Sequence, residues 1–152
     1  MKIVFLVMFI FASSIASASV QSECKSAESS LEKFIRLDSG GETLHTSKKL
    51  DAVIYYNGRD TGGYDTVSVV DSSAIRSCSP KGSGLEIKVA YQVVGEFSGV
   101  LTKQGLDKVL AAHPIEKLES FYLVKEGKDW KIDSPSVPQP HVNIETARKL
   151  VQ

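Results

Sequence analysis

The sequence predicts an α+β domain, in which a curved antiparallel sheet wraps around an N-terminal helix and a further helix closes the chain. Three observations predict this fold class: an amphipathic helical pattern comes first, strand-like alternation fills the middle, and a capped helical pattern comes last. Helices and strands segregated in this way are typical of α+β domains. The 152 residues are 42% hydrophobic and 24% charged, which is an ordinary globular composition.

Residues 1–18 have the pattern of a cleaved export signal. Lys2 supplies the positive charge, Ile3 to Phe11 form an apolar run, and Ala16-Ser17-Ala18 is a small-x-small cleavage site. The alternative is an uncleaved membrane anchor, but the apolar run is short for a bilayer span. We therefore predict cleavage after Ala18, a single domain over residues 19–152, and a protein that is exported to the periplasm or the extracellular space.

The sequence contains two cysteines, Cys24 and Cys78. Lipid attachment at Cys24 is not expected, because Gln21 and Glu23 occupy positions where a lipobox needs an apolar and a small residue. In an exported protein an even pair of cysteines is a candidate disulfide. The alternative is two unpaired thiols that lie too far apart to bond.

An amphipathic helix is predicted over Ser22 to Leu37. Its apolar residues recur at the spacing of one helical face, and Gly40-Gly41 ends it. The members of this stripe are Ala27, Leu31, Phe34 and Ile35.

The chain then changes from helical to strand-like periodicity. Leu85 to Val94 is the clearest strand, since its odd-numbered residues are all apolar. Its other face begins polar and becomes apolar, so we expect the strand to run into a covered region. The segments before it are a short helix over Glu42–Leu50, a β-prone stretch over Ala52–Tyr56, a loop over Asn57–Gly63, strands over Thr66–Val70 and Ala74–Cys78, and a turn over Ser79–Gly84.

The C-terminal part contains a predicted hairpin between two helical patterns. Leu118–Lys125 and Trp130–Asp133 are its strands, joined by a turn containing Gly127. A helical turn with Leu106, Val109 and Leu110 precedes it, and a proline-rich connector over residues 135–140 follows. A final helix begins at Asn143, which is a good N-cap residue, and its apolar stripe is Ile144, Ala147 and Val151.

With these elements placed, the chain resembles the NTF2-like (cystatin-like cone) superfamily. The resemblance implies a conical domain with a cavity between sheet and helices, in a family of isomerases, dehydratases, cyclases, ligand binders and interaction modules. Fold alone therefore leaves function open. The residues that carry the resemblance are Leu31, Phe34 and Leu37 of the first helix, the segments Tyr64–Val67 and Val69–Ser72, the hairpin Phe121–Asp133, and Pro138–Val142.

Four residues are candidates to line such a cavity: Tyr55, Tyr91, Trp130 and His141. A tyrosine hydroxyl there could polarise a ligand, although buried aromatic residues are more often part of a core. His141 could act as a general base at the mouth of the cone. The alternative is a structural histidine that bonds to the backbone of the connector.

Composition and motifs narrow the expected function. Eighteen basic and eighteen acidic residues give no net charge, which argues against nucleic acid as a partner. The three histidines lack metal-ligand spacing, and we expect neither a metal nor a cofactor. We predict binding of a small molecule or a protein partner through the cone cavity or the sheet face, without membrane association after signal cleavage. The alternatives are an enzyme of the isomerase or hydrolase type with one general base, and an inhibitor or interaction module acting as a homodimer.

Overall fold

The computed structural model describes residues 8–45, 47–55, 65–136 and 138–151, and only the backbone of residues 8–17. The predicted α+β class is confirmed. The helices in this part of the chain are α1 (Met8–Ser39), α2 (Lys103–Leu110) and α3 (Ile144–Leu150), with short 3-10 helices at Glu42–Leu44 and Leu50–Ala52. The strands are β1 (Val67–Lys81), β2 (Gly84–Phe97), β3 (Ile115–Glu126), β4 (Asp129–Ser134) and β5 (His141–Asn143).

Within the described residues the five strands form one curled sheet in the order β4-β3-β2-β1-β5, which closes halfway to a barrel. Both edge strands, β4 and β5, contact α1, so the sheet wraps around this helix as predicted. The sheet is antiparallel except for β5, which pairs parallel to β1. This three-residue strand was not predicted, because its partner lies more than seventy residues earlier in the chain.

Helix α1 packs its predicted stripe against the concave face of the sheet. Ala27, Leu31 and Phe34 are fully buried, and the Phe34 ring lies 5.9 Å from that of Phe121 on β3. Half-buried Ile35 packs against the same core. Burial of this stripe against the strands removes apolar surface from water and stabilises the packing of α1 in the domain.

Strand β2 has the two faces that its sequence predicts. Leu85, Ile87, Val89, Tyr91 and Val93 are all buried on the concave face. On the convex face, Lys88 is exposed, whereas Ala90 and Val94 further along the strand are buried. Val94 packs in a cluster with Leu106 of α2. This second apolar cluster is formed by Val67, Val69, Val94, Leu101, Leu106, Val142 and Ala147.

Strand β1 is one continuous element, and the prediction of two short strands was wrong. The polar residues Asp71, Ser72 and Ser73 are exposed; Asp71 lies at a register irregularity, and pairing with β2 resumes at Ser72 and Ser73. Three register irregularities accompany this long strand. Backbone hydrogen bonding to a central strand therefore overrides the poor strand propensity of these side chains.

A disulfide joins α1 to β1. The Cys24 and Cys78 sulfurs are 2.04 Å apart and the two Cα atoms 5.9 Å apart, so the predicted bond is confirmed. Cys78 faces the concave side, opposite Ile87 of β2.

The two predicted segments before β1 and the predicted cap of α3 have different outcomes. The helix predicted over residues 42–50 is replaced by the two 3-10 helices, and the loop predicted over residues 57–63 lies outside the described residues. The Asn143 side chain caps α3 by accepting a hydrogen bond of 2.7 Å from the Thr146 amide, as predicted. In the described part of the chain, no helix combines the length and apolarity that a bilayer span requires.

Candidate functional site

A buried polar cluster lies on the concave face, where α1 ends. It consists of Asp38 from α1, Tyr91 from β2, Glu119 from β3 and His141 from β5. We call these four residues the His141 cluster. Four elements that are far apart in sequence therefore each contribute one side chain.

His141 occupies the centre of the cluster and bonds to both carboxylates. Its Nδ1 lies 3.1 Å from Oδ2 of Asp38, and its Nε2 lies 3.0 Å from Oε1 of Glu119. The backbone N–H of His141 also donates to Oδ1 of Asp38, at 3.0 Å. Thr43 Oγ1 donates to the same Asp38 oxygen. The imidazole is thus held on both ring nitrogens, and the side chain is 1% exposed.

The curl of the sheet makes these contacts geometrically feasible. In the strand order, β1 and β2 lie between the strands that carry His141 and Glu119. In a flat sheet three strand spacings would separate them by roughly 14 Å. Because the strands curl around α1, side chains on their concave face converge, and the two residues come within hydrogen-bond distance.

Tyr91 stacks flat on the His141 ring. The ring centroids are 4.0 Å apart and the planes differ by 4°. Tyr91 is fully buried, and its hydroxyl has no hydrogen-bond partner among the described residues. Burial, together with the negative charges of Asp38 and Glu119, raises the pKa of Tyr91, so the phenol remains protonated. The cluster therefore contains a buried hydroxyl that could still bind another group.

His141 is expected to carry a proton at neutral pH. Burial by itself would lower its pKa, but the hydrogen bonds and charges of Asp38 and Glu119 outweigh burial and raise the pKa to about 9. An imidazolium stacked on the face of Tyr91 also gains a cation–π attraction.

Asp38 occupies an unfavourable place for a carboxylate. Burial raises its pKa, and the hydrogen bonds from His141 and Thr43 offset this only in part. It also lies in the last turn of α1, where the helix dipole disfavours negative charge. A single proton held between Asp38 and His141 compensates the charge at this position.

The cluster reaches solvent through Glu119, whose side chain is 25% exposed, whereas Asp38 and His141 are closed. Beside Glu119 lies a group of polar contacts that we call the polar rim. Glu96 accepts from Lys117 at 2.6 Å and from Ser68 at 3.1 Å, and Gln139 donates to Ser68 at 3.0 Å. Lys117 and Glu119 are two residues apart on β3 and therefore face the same side.

The structure brings together two of the four residues predicted to line a cavity, Tyr91 and His141. Trp130 is buried in the core, with Lys125 Nζ 5.5 Å from its ring centroid, towards the opposite end of β3 from Glu119. Tyr55 lies beside β4, where its backbone N–H donates to the carbonyl of Ile132. His141 bonds to Asp38 of α1 through both its ring and its backbone N–H. Its contacts therefore extend beyond the connector that precedes it.

Sequence reasoning missed Asp38 and Glu119, although each left a signal. Asp38 follows Phe34 by four residues and therefore continues the buried stripe of α1. Glu119 alternates with Phe121 and Leu123, which are buried on the concave face. A carboxylate on an otherwise apolar face is the pattern that could have identified both residues.

A separate apolar cavity of about 280 Å³ adjoins the second apolar cluster. The four predicted cavity residues are not part of its wall. Its lining residues are Leu44, Val67, Phe97, Gly99, Leu101 and Leu150.

Neither a metal-binding arrangement among the described residues nor a comparison with known proteins assigns a function to this chain. Among the described residues there is no group of three or more histidine, cysteine, aspartate or glutamate residues arranged to hold a metal ion. Searches with models of protein families, against curated proteins and against solved structures found no match to this chain.

Proposed function

We propose that this chain is an exported, NTF2-like domain that binds a small molecule at the His141 cluster. The single observation that carries the proposal is the Tyr91 hydroxyl, which is fully buried near two carboxylates and has no hydrogen-bond partner in the part of the chain that the structure describes. The ligand enters at the solvent-exposed side of Glu119 and takes this hydroxyl as a hydrogen-bond partner.

An unpartnered buried hydroxyl costs stability. Leaving such a group without a hydrogen bond costs about 1–3 kcal/mol, and phenylalanine would fill the same space without that cost. Binding sites are where a protein keeps a polar group that folding alone does not need. The hydroxyl is therefore better explained by a ligand than by packing.

The family and the cellular location rest on supporting observations. A half-barrel sheet around an N-terminal helix agrees with the cone of the NTF2-like superfamily. The pattern of residues 1–18 supports export, and so does the Cys24–Cys78 disulfide, because such bonds persist in oxidising compartments.

A second candidate function is acid–base catalysis at the same cluster. It is favoured by the hydrogen-bonded series Asp38–His141–Glu119, which connects a buried carboxylate to a half-buried one that reaches solvent. In this arrangement His141 is already protonated, so Glu119 is the group that could accept a proton from a substrate.

An interaction module is less supported, because the exposed apolar residues Ile115 and Leu118 lie on opposite faces of β3.

Native mass spectrometry tests the proposed function. Wild type, Tyr91→Phe and the control Tyr122→Phe are purified without denaturation from the exported fraction. Tyr122 is a suitable control because its hydroxyl lies at the β1–β2 turn, 3.4 Å from Ser83. We expect a chain mass that lacks residues 1–18, with a bound small molecule in wild type and Tyr122→Phe but not in Tyr91→Phe.

A crystal structure of the purified wild type provides the opposing outcome. If the Tyr91 hydroxyl bonds to an enclosed water molecule or to a protein group and no ligand is present, the hydroxyl needs no ligand. The proposed function would then be wrong.

A further inference from the structure

We infer that the ligand of the His141 cluster is an organic cation of the primary-amine class, bound between the Glu119 carboxylate and the Tyr91 hydroxyl. This inference rests on the proposed function and adds the chemical class of the ligand. Its basis is the charge of the cluster and the hydrogen-bonding atoms that remain unused.

The charge of the cluster does not depend on the position of its proton. Asp38 and His141 share one proton, and the pair is neutral whether that proton resides on Nδ1 or on the carboxylate. Glu119 then contributes one negative charge that nothing in the cluster balances. In the polar rim, Lys117 is already paired with Glu96 at 2.6 Å, so the rim contributes no net charge.

The unused atoms are hydrogen-bond acceptors. Oε1 of Glu119 is engaged by His141, whereas Oε2 has no hydrogen-bond partner within the described ranges. The Tyr91 oxygen is also unpartnered there. An alkylammonium has three N–H donors and no acceptor, so it can bond to both oxygens.

Ligands of the other charge classes fit less well. An anion would approach the Glu119 carboxylate, the only member of the cluster that reaches solvent, and the nearest lysine on the same face of β3 is paired with Glu96. A neutral alcohol could satisfy the Tyr91 hydroxyl but would leave the charge of Glu119 in a partly desolvated place, which is costly. A primary ammonium balances the charge of Glu119 and donates to the oxygens of Glu119 and Tyr91, which the other two classes do not do together.

The test uses three small probes of similar size: ethylammonium chloride, ethanol and sodium acetate. Each is titrated at pH 7 into the wild-type protein at constant ionic strength, adjusted with sodium chloride. Binding is followed by the Tm and by the NMR resonances of the His141 ring. We expect saturable binding of ethylammonium, and neither saturable Tm shifts nor saturable NMR shifts with ethanol or acetate.

Two matched variants locate the site. Glu119→Gln removes the charge and keeps the shape, and we expect at least tenfold weaker ethylammonium binding. Glu116→Gln is the control, because Glu116 is an exposed carboxylate on the other face of β3 that pairs with Arg76 at 2.7 Å. This control should bind ethylammonium as wild type does.

Three outcomes would overturn the inference. Equal ethylammonium binding by Glu119→Gln and wild type would place the cation elsewhere. Saturable binding of ethanol or acetate in preference to ethylammonium would reject the amine class, as would no binding of any probe. In these last two cases a natural ligand that is lost in Tyr91→Phe would still support the proposed function, so the two proposals fail separately.

Discussion

His141 connects more of the fold than any other residue of its cluster. Through its ring and its backbone it joins the end of α1 to β5 and β3, and Tyr91 of β2 covers its ring. Removing one partner of a buried ionic pair costs about 3–5 kcal/mol, because the other charge is left uncompensated. A binding site at this place therefore shares its residues with the structural core.

The pKa of His141 predicts how stability depends on pH. Its folded-state value of about 9 exceeds the ordinary 6.5, so its contribution is complete below pH 6.5 and is lost as pH rises through about 9. The groups that face it are Asp38, Glu119 and Tyr91. We expect the free energy of unfolding to fall by up to about 3 kcal/mol between pH 6.5 and 9.5, since one pKa unit corresponds to about 1.4 kcal/mol.

Urea unfolding at a series of pH values measures this dependence. Asp38→Asn removes one of the two carboxylates that hold the proton, and we expect a clearly smaller fall in stability in this variant. His113→Gln is the control, because His113 is exposed, and it should behave as wild type. A fall of equal size in Asp38→Asn would show that the proton is not held by this pair.

The Tyr91 hydroxyl predicts a stabilising substitution. Tyr91→Phe keeps the ring that stacks on His141 and removes a buried hydroxyl to which no described residue bonds. We expect the ligand-free variant to be more stable than ligand-free wild type by about 1 kcal/mol or more, as measured by urea unfolding. Tyr122→Phe should change stability by less than about 0.5 kcal/mol. A loss of stability in Tyr91→Phe would mean that the hydroxyl has a partner.

At the scale of elements, the helix and the sheet are held together by apolar packing and by one covalent bond. The disulfide fixes α1 to the concave face of β1. Cys24 lies near the middle of α1, whereas Asp38 lies in its last turn. The buried part of α1 is therefore held to the sheet by a covalent bond at Cys24 and by an ionic network at Asp38.

The disulfide predicts a loss of stability when it is removed. It closes a loop of 54 residues, and in the chain-entropy model a loop of this size stabilises the fold by about 4 kcal/mol. We expect the Cys24→Ser, Cys78→Ser double variant to lose an amount of this order in urea unfolding. Reduced wild type should match the variant, and a difference below about 1 kcal/mol between oxidised wild type and variant would contradict the prediction.

For the whole molecule, the curl of the sheet has two consequences. It encloses α1, so that one apolar core forms on the concave face, while α2 and α3 cover the second cluster on the convex face. It also draws the outer strand β5 towards β3 at the end where α1 stops. The functional site that we propose is therefore located where the helix no longer fills the concave face.

Local structure in this protein follows from its amino-acid sequence. The spacing of Ala27, Leu31 and Phe34 specified the buried face of α1, and period-two alternation specified the buried face of β2. The Asn143 cap was also predictable, because capping depends on the residue type at the start of one helix. Helical and strand periodicity are properties of neighbouring residues, and they decide which side chains a single element can bury.

The residues that form the site come together through contacts between distant parts of the chain. Asp38 and His141 are 103 positions apart, and Glu119 and His141 are 22 apart. Periodicity could place Asp38 and Glu119 on buried faces, but it could not show that these faces meet. The parallel strand β5 and the curl of the sheet bring them together, because strand pairing and curvature depend on contacts between distant segments rather than on the order of neighbouring residues.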